Sequence, residues 1–84
     1  MSKALRILLL EDDSGDARMV EKYLQEDPHE NYQITKADRL RSGLEILKTD
    51  PVDTILLDFY LPDAEGYDLF EKIHARVPSI PKTI

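Results

Sequence analysis

The sequence has no cysteine and no tryptophan. Without cysteine there is no disulfide framework, no thiolate metal site and no Cys nucleophile, and the pattern suits a reducing compartment. Glycine and proline are scarce, at three and five of 84 residues, too few for a low-complexity chain. Long apolar runs are missing as well. The amino terminus, Met-Ser-Lys-Ala-Leu-Arg followed by four apolar residues and then acids, has neither the long apolar stretch nor the small-residue cleavage site of a signal peptide. Nothing approaches a membrane span. The expected location is the cytoplasm, with no membrane as partner. Positive charge is also in deficit: 11 Lys and Arg against 17 Asp and Glu leave a net charge of −6. Such a segment repels phosphate backbones, so nucleic acid is not expected to bind it.

What is present is a folded composition, 42% hydrophobic and 33% charged, at a length that allows one small domain with a modest core. Residues 7–10, extended by Ala4 and Leu5 around Lys3 and Arg6, form a continuous apolar run closed by acids. Residues 54–57 form another. Both are short and read as strands buried on two faces. Between them Ser14 is expected to cap a helix with Asp16 in its first turn. Its apolar stripe is Ala17, Val20, Tyr23 and Leu24, and Pro28 ends it. Residues 32–36 alternate as a second strand. Asp38 is expected to cap a second helix running to about residue 49, closed by Asp50-Pro51.

After residue 57 comes a loop punctuated by Pro62 and Gly66, where Gly66 suits a positive φ. A third helix over 67–77 then buries Leu69 or Phe70, Ile73 and Val77, and residues 80–84 open a fourth strand. Strands alternating with ten-residue helices predict right-handed crossovers and a parallel sheet. No repeat or linker divides the chain, so residues 1–84 are read as one domain. The expected core is Ile7, Leu8, Leu9, Val20, Leu24, Leu44, Leu47, Ile55, Leu56, Leu57, Phe70 and Ile73.

In open α/β sheets, sites form beyond the carboxyl ends of the strands. The first strand delivers Glu11, Asp12 and Asp13 there, and the third delivers Asp58. Two carboxylates ~5 Å apart repel by roughly 3 kcal/mol at an effective dielectric of about 20. A small fold gathers them only with a counter-charge: a hard divalent cation, a nearby Lys or a retained proton. Oxygen ligands without His or Cys point to Mg²⁺ or Mn²⁺. Asp13 has a second reading, as a residue preceding the Ser14 cap. His29 and His74 read as surface residues.

Three segments carry a family resemblance. They are the strand ending in an acid pair, Leu8-Leu9-Leu10-Glu11-Asp12; the strand Thr54-Ile55-Leu56-Leu57-Asp58; and the loop Asp58-Phe59-Tyr60-Leu61-Pro62-Asp63-Ala64-Glu65-Gly66. In this order and spacing they resemble the receiver domain of two-component response regulators, from about Leu5 onward. The resemblance implies a flavodoxin-like, doubly wound parallel sheet with strand order 2-1-3. It implies Asp58 as phosphoacceptor, and a metal site of Glu11, Asp12, Asp58 and the Tyr60 backbone carbonyl, with Asp12 and Asp13 as the alternative acid pair. It implies a sensor histidine kinase or phosphotransfer protein as phosphodonor, and a signalling module rather than an enzyme. An Asp-nucleophile phosphatase would want an acid at position 60, where Tyr60 stands.

The family's site also uses a Ser or Thr ending strand four and a Lys ending strand five. Thr83 comes too early for the first, and Lys82 lies in the wrong strand for the second. The chain is therefore expected to be a receiver cut within its fourth strand. Phosphotransfer should be slow, and an exposed apolar strand edge should favour self-association. The alternative is a non-phosphorylated receiver remnant that acts as a protein-interaction module.

Overall fold

A computed structural model of the protein describes residues 4–83. The elements are β1 (Leu5–Leu10), α1 (Ser14–Gln25), β2 (Tyr32–Ala37), α2 (Leu40–Thr49), β3 (Thr54–Leu57), β4 (Tyr60–Leu61), β5 (Ala64–Glu65), α3 (Gly66–Arg76) and β6 (Lys82–Thr83). Among the described residues the main sheet has the order β2-β1-β3-β6, and all its pairings are parallel. Lys3 and Ile84, assigned from the sequence to the outer ends of the first and last strands, lie outside the described residues.

Side chains alternate across a strand, and the two faces fill differently. Leu8 and Leu10 of β1 and Ile55 and Leu57 of β3 join Leu40 of α2 and Leu69 and Ile73 of α3 in the main cluster. Complete burial of a side chain such as Leu8 or Ile55 is worth about 1.5–3 kcal/mol. Gly43 lets α2 come down onto β1: a methyl group there would stand 2.5 Å from Leu10 Cδ2. On the other face Ile7, Leu9 and Ala17 are buried, while Leu9, Val20 and Leu56 line an open cleft of about 410 Å³.

That asymmetry corrects the expected core. Val20, Leu24 and Leu56 are only partly buried, and Tyr23, placed on the apolar stripe, is 78% exposed. Leu44, Leu47 and Phe70 pack at the edge of the main cluster, Leu10, Ala17 and Leu69 are buried as their apolar runs and stripes implied although the core set left them out, and Ala37, Leu40 and Leu61 complete the buried positions missing from that set. These last three lie at element ends or in the loop, where no periodic run is long enough to mark a face.

Two helix caps also differ from expectation. Asp13, not Ser14, caps α1: its extended backbone and its Oδ1 suit the role, and that oxygen accepts the Asp16 N–H at 2.9 Å. Asp38 does not cap α2. Its carboxylate instead pairs with Arg39 at 3.4 Å, and the residue at the α2 cap position, Arg39, makes no side-chain cap bond. The cap comes from Asp63, across the chain: Oδ1 accepts the Leu40 N–H at 2.8 Å and Oδ2 the Arg41 N–H at 2.9 Å.

At the amino ends of the strands, Arg6 and Asp53 lock β1 to the start of β3. Asp53 Oδ2 accepts the Arg6 N–H at 2.8 Å and Nε–H at 3.1 Å, Oδ1 accepts Nη2–H at 3.0 Å, and the Asp53 N–H returns to the Arg6 carbonyl at 2.8 Å.

Candidate functional site

The carboxyl ends of β1 and β3 meet because their ladder runs one step beyond the strands. Leu10 pairs with Leu57, and the next N–H groups continue the pattern. Asp58 donates to the Leu10 carbonyl at 2.9 Å, and Glu11 donates to the Ala37 carbonyl of β2 at 3.0 Å. The continuous apolar runs of β1 and its neighbour β3 favour this register, so the first polar residues after them emerge at one edge. Glu11, Asp12 and Asp58 are thereby brought together, with one carboxylate oxygen from each within 4.8 Å of the others. Glu11 and Asp58 are half-buried and Asp12 is exposed. Asp13 stands outside this group, occupied as the α1 cap.

The electrostatics follow from the gathering. Partial burial, above all, raises the Glu11 pKa, and the Asp58 and Asp16 charges and a hydrogen bond with Asp58 add to it. The Asp13 N–H, donated to Glu11 Oε1 at 3.2 Å, opposes the rise. Among the described residues no Lys or Arg forms an ion pair with the three acids. Lys36 borders the neighbouring cleft with Glu11 and Asp12, but its ammonium goes to Glu21 at 3.3 Å. Lys82 gives its Nζ to the Val77 carbonyl at 2.6 Å and to His74 Nδ1 at 3.1 Å. Among the described residues, then, a lysine is not the counter-charge of this cluster. An all-oxygen, triply acidic donor set suits a hard divalent cation.

The loop after Asp58 is more ordered than punctuation residues suggest. Tyr60 pairs with Glu65 and Leu61 with Ala64 in an antiparallel β4–β5 hairpin. Its base is closed by Gly66 N–H to the Phe59 carbonyl at 2.7 Å. Gly66, at φ 63°, takes the left-handed turn expected of it, a conformation that glycine enters without a Cβ penalty. The Tyr60 N–H makes a long 3.4 Å bond to Asp58 Oδ1. Thr83 borders the same cleft as Glu11 and Asp58. It pairs with Leu56, two positions short of Asp58, as its early place in the sequence implied.

The residue beside the site whose contacts sequence reasoning missed is Asp63. Its partners lie 22 and 23 residues earlier, so no local spacing reveals them. The signal that was available is negative: Arg39 is a poor N-cap, and α2 carries no acid in its first turn. Burial works to raise the Asp63 pKa, but the N–H groups of Arg41 and Leu40 outweigh it and hold the carboxyl below its ordinary value.

Residues 7–84 match the response regulator receiver domain family. Among curated proteins, the cell cycle response regulator CtrA of Brucella ovis is 35% identical over 69 residues, covering 82% of this chain and 28% of that protein. The non-phosphorylated HemR receiver domain from Leptospira biflexa superposes with a TM-score of 0.76 at 31% identity, covering 93% of this chain and 60% of the other. A CheY-like receiver domain protein from Methanospirillum hungatei gives 0.82 at 29% identity, covering 95% and 62%. The fold is thus the flavodoxin-like one, and the chain spans under a third of its curated relative and about three fifths of the solved receivers.

Proposed function

The chain belongs to the response regulator receiver family, and from that premise we propose that it accepts a phosphoryl group on Asp58 within a two-component phosphorelay. The observation that carries this reading is the convergence of Glu11, Asp12 and Asp58, one carboxylate oxygen from each within 4.8 Å of the others, with no cationic side chain among the described residues paired to them. The donor is a phosphohistidine on a sensor histidine kinase or phosphotransfer protein. An ionised Asp58 oxygen attacks phosphorus, the P–N bond breaks, and the imidazole nitrogen leaves with the bonding electrons and takes up a proton. Glu11, Asp12, Asp58 and the Tyr60 backbone carbonyl are the groups that would hold Mg²⁺, or Mn²⁺ in its place. When bound, the cation neutralises the transferring oxygens and favours the ionised carboxylate. Asp13 serves α1 and is left out of this set. The Tyr60 N–H bond at 3.4 Å helps to aim Asp58.

In this reading the protein is a cytoplasmic signalling module. It turns over no separate substrate and at most promotes its own phosphorylation and dephosphorylation. Among the described residues no helix is long and apolar enough to cross a membrane. The net charge of −6 disfavours nucleic acid on this segment. Residues 1–84 are read as one partial receiver domain, about three fifths of the length of the solved receivers. The outer strand β6 pairs only with β3 among the described strands, and self-association through that edge is part of the proposal. Light scattering on a sizing column should show species larger than a monomer that dissociate on dilution.

The deciding experiment incubates the chain with a small acyl-phosphate donor and Mg²⁺ and follows intact mass. A gain of one phosphoryl group, lost in Asp58→Asn, is expected. A gain that survives Asp58→Asn would remove Asp58 from its role. No gain from either the small donor or a kinase, with kinase binding intact, would favour the interaction module.

A further inference from the structure

The Asp63 carboxylate is more than a displaced helix cap. It sits at the tip of the β4–β5 hairpin, the loop that leaves Asp58. That loop is fixed at its base by the Gly66 N–H bond to Phe59 and in its middle by Leu61, which is buried in the α2–α3 cluster. The tip would otherwise be a solvent-facing Pro62-Asp63 turn. Asp63 instead grips α2 with one oxygen on each of two successive N–H groups, at 2.8 and 2.9 Å. A two-point, charge-assisted contact fixes orientation as well as distance. It also meets the positive end of the α2 dipole, which has no acid of its own in the first turn.

A helix that needed only a cap has nearer candidates. Asp38 lies just before the cap position, and it turns to Arg39 instead. The long-range partner therefore does something that a local one could not, which is to tie the loop to the body of the protein. Tyr60, whose N–H reaches Asp58, lies between the clamped base and the clamped tip.

We propose that Asp63 is a positioning residue for Asp58, holding the β4–β5 hairpin against the start of α2 so that the Asp58 carboxylate and the Tyr60 backbone keep one arrangement. The link to metal binding rests on the function proposed above; the mechanical link does not.

The test separates capping from tethering. Asp63→Ala removes both. Adding Arg39→Ser gives α2 a local hydroxyl cap, leaves the net charge of the chain unchanged, and restores only the capping. Two quantities are then measured on each variant: amide hydrogen exchange at Tyr60 and Gly66, and the affinity for Mg²⁺ from a titration followed by backbone NMR. Both variants should exchange faster at Tyr60 and Gly66 than the unaltered chain while β1 stays protected. Both should bind Mg²⁺ more weakly, on the order of tenfold, and the double variant should nevertheless recover the melting temperature. If the double variant recovers exchange, affinity and melting together, Asp63 is only a cap and the proposal fails. If the unaltered chain binds no Mg²⁺, the metal reading fails while the exchange data still decide the tether. Should Asp63→Ala alone not fold, the double variant and Asp63→Asn, which keeps one acceptor oxygen, carry the same comparison.

Discussion

The two ends of the sheet treat charge in opposite ways. At the amino ends, Arg6 and Asp53 close a fork of bonds at 2.8–3.1 Å between β1 and the start of β3. At the carboxyl ends, the same two strands deliver Glu11, Asp12 and Asp58 to one spot, with no described Lys or Arg paired to them. One end closes its electrostatics within the chain; the other leaves free energy to be recovered by a ligand. The paired end is thus a stability device and, on the function proposed above, the unpaired end is a binding device, held in register by the same apolar ladder.

The largest test of that contrast is Asp53→Ala. It strips the Arg6 N–H and guanidinium of their acceptor at a site where both side chains are about a third exposed, so water replaces part of what is lost. The melting temperature should fall by about 10 °C. An unchanged melting temperature would mean that the amino end is no lock.

At the other end the sign reverses. Asp58→Asn relieves repulsion and, in chelator, should stabilise the chain by less than about 1 kcal/mol, because these groups remain partly solvated. Mg²⁺ at ten times its dissociation constant should stabilise the unaltered chain by about 1.4 kcal/mol through binding to the folded state alone, and should do much less for Asp58→Asn. Thermal melts with and without Mg²⁺ read both effects. If Asp58→Asn melts lower in chelator, the carboxyl end is not under electrostatic stress.

Both ends were unequally legible in the sequence. The apolar runs at 7–10 and 54–57 announced the central strands, and the acids that end them announced the edge where Glu11, Asp12 and Asp58 meet. Gly66 announced its own left-handed turn. What stayed hidden depends on contacts between distant segments. Asp53 and Arg6 are 47 residues apart, and Asp63 caps a helix that precedes it by more than 20. Asp13 and Ser14 are both good capping residues, so choosing between them requires the backbone angle at the helix start. The half-open face with Val20 and Leu56 was hidden for a related reason, since hydrophobic spacing tells which residues want burial and not whether a partner covers them.

The smallest effect sharpens the contrast within the carboxyl end itself. Asp63 and Glu11 are both carboxylates there, but their titrations work against each other. In the folded chain Asp63 lies below its ordinary value of 3.8 because two α2 N–H groups prefer its ionised form. Its contribution is complete above that value and is lost as pH falls through the lower folded one. Glu11 lies above its ordinary value of 4.5 because burial and the neighbouring acids penalise its charge. Its protonated form favours folding, a contribution complete below that value and lost as pH rises through the higher folded one. In chelator, stability should therefore climb with pH on the acid side of 3.8 and sag again above 4.5. Asp63→Asn should flatten the climb and leave the sag, and Glu11→Gln should do the reverse. Added salt should shrink the part of the Glu11 limb that comes from the Asp58 and Asp16 charges and leave the part that comes from burial. Urea titrations across this pH range would expose the pattern. A climb that persists in Asp63→Asn would mean that the hairpin tip draws no stability from its ionised carboxylate, and that its grip on α2 is geometric rather than electrostatic.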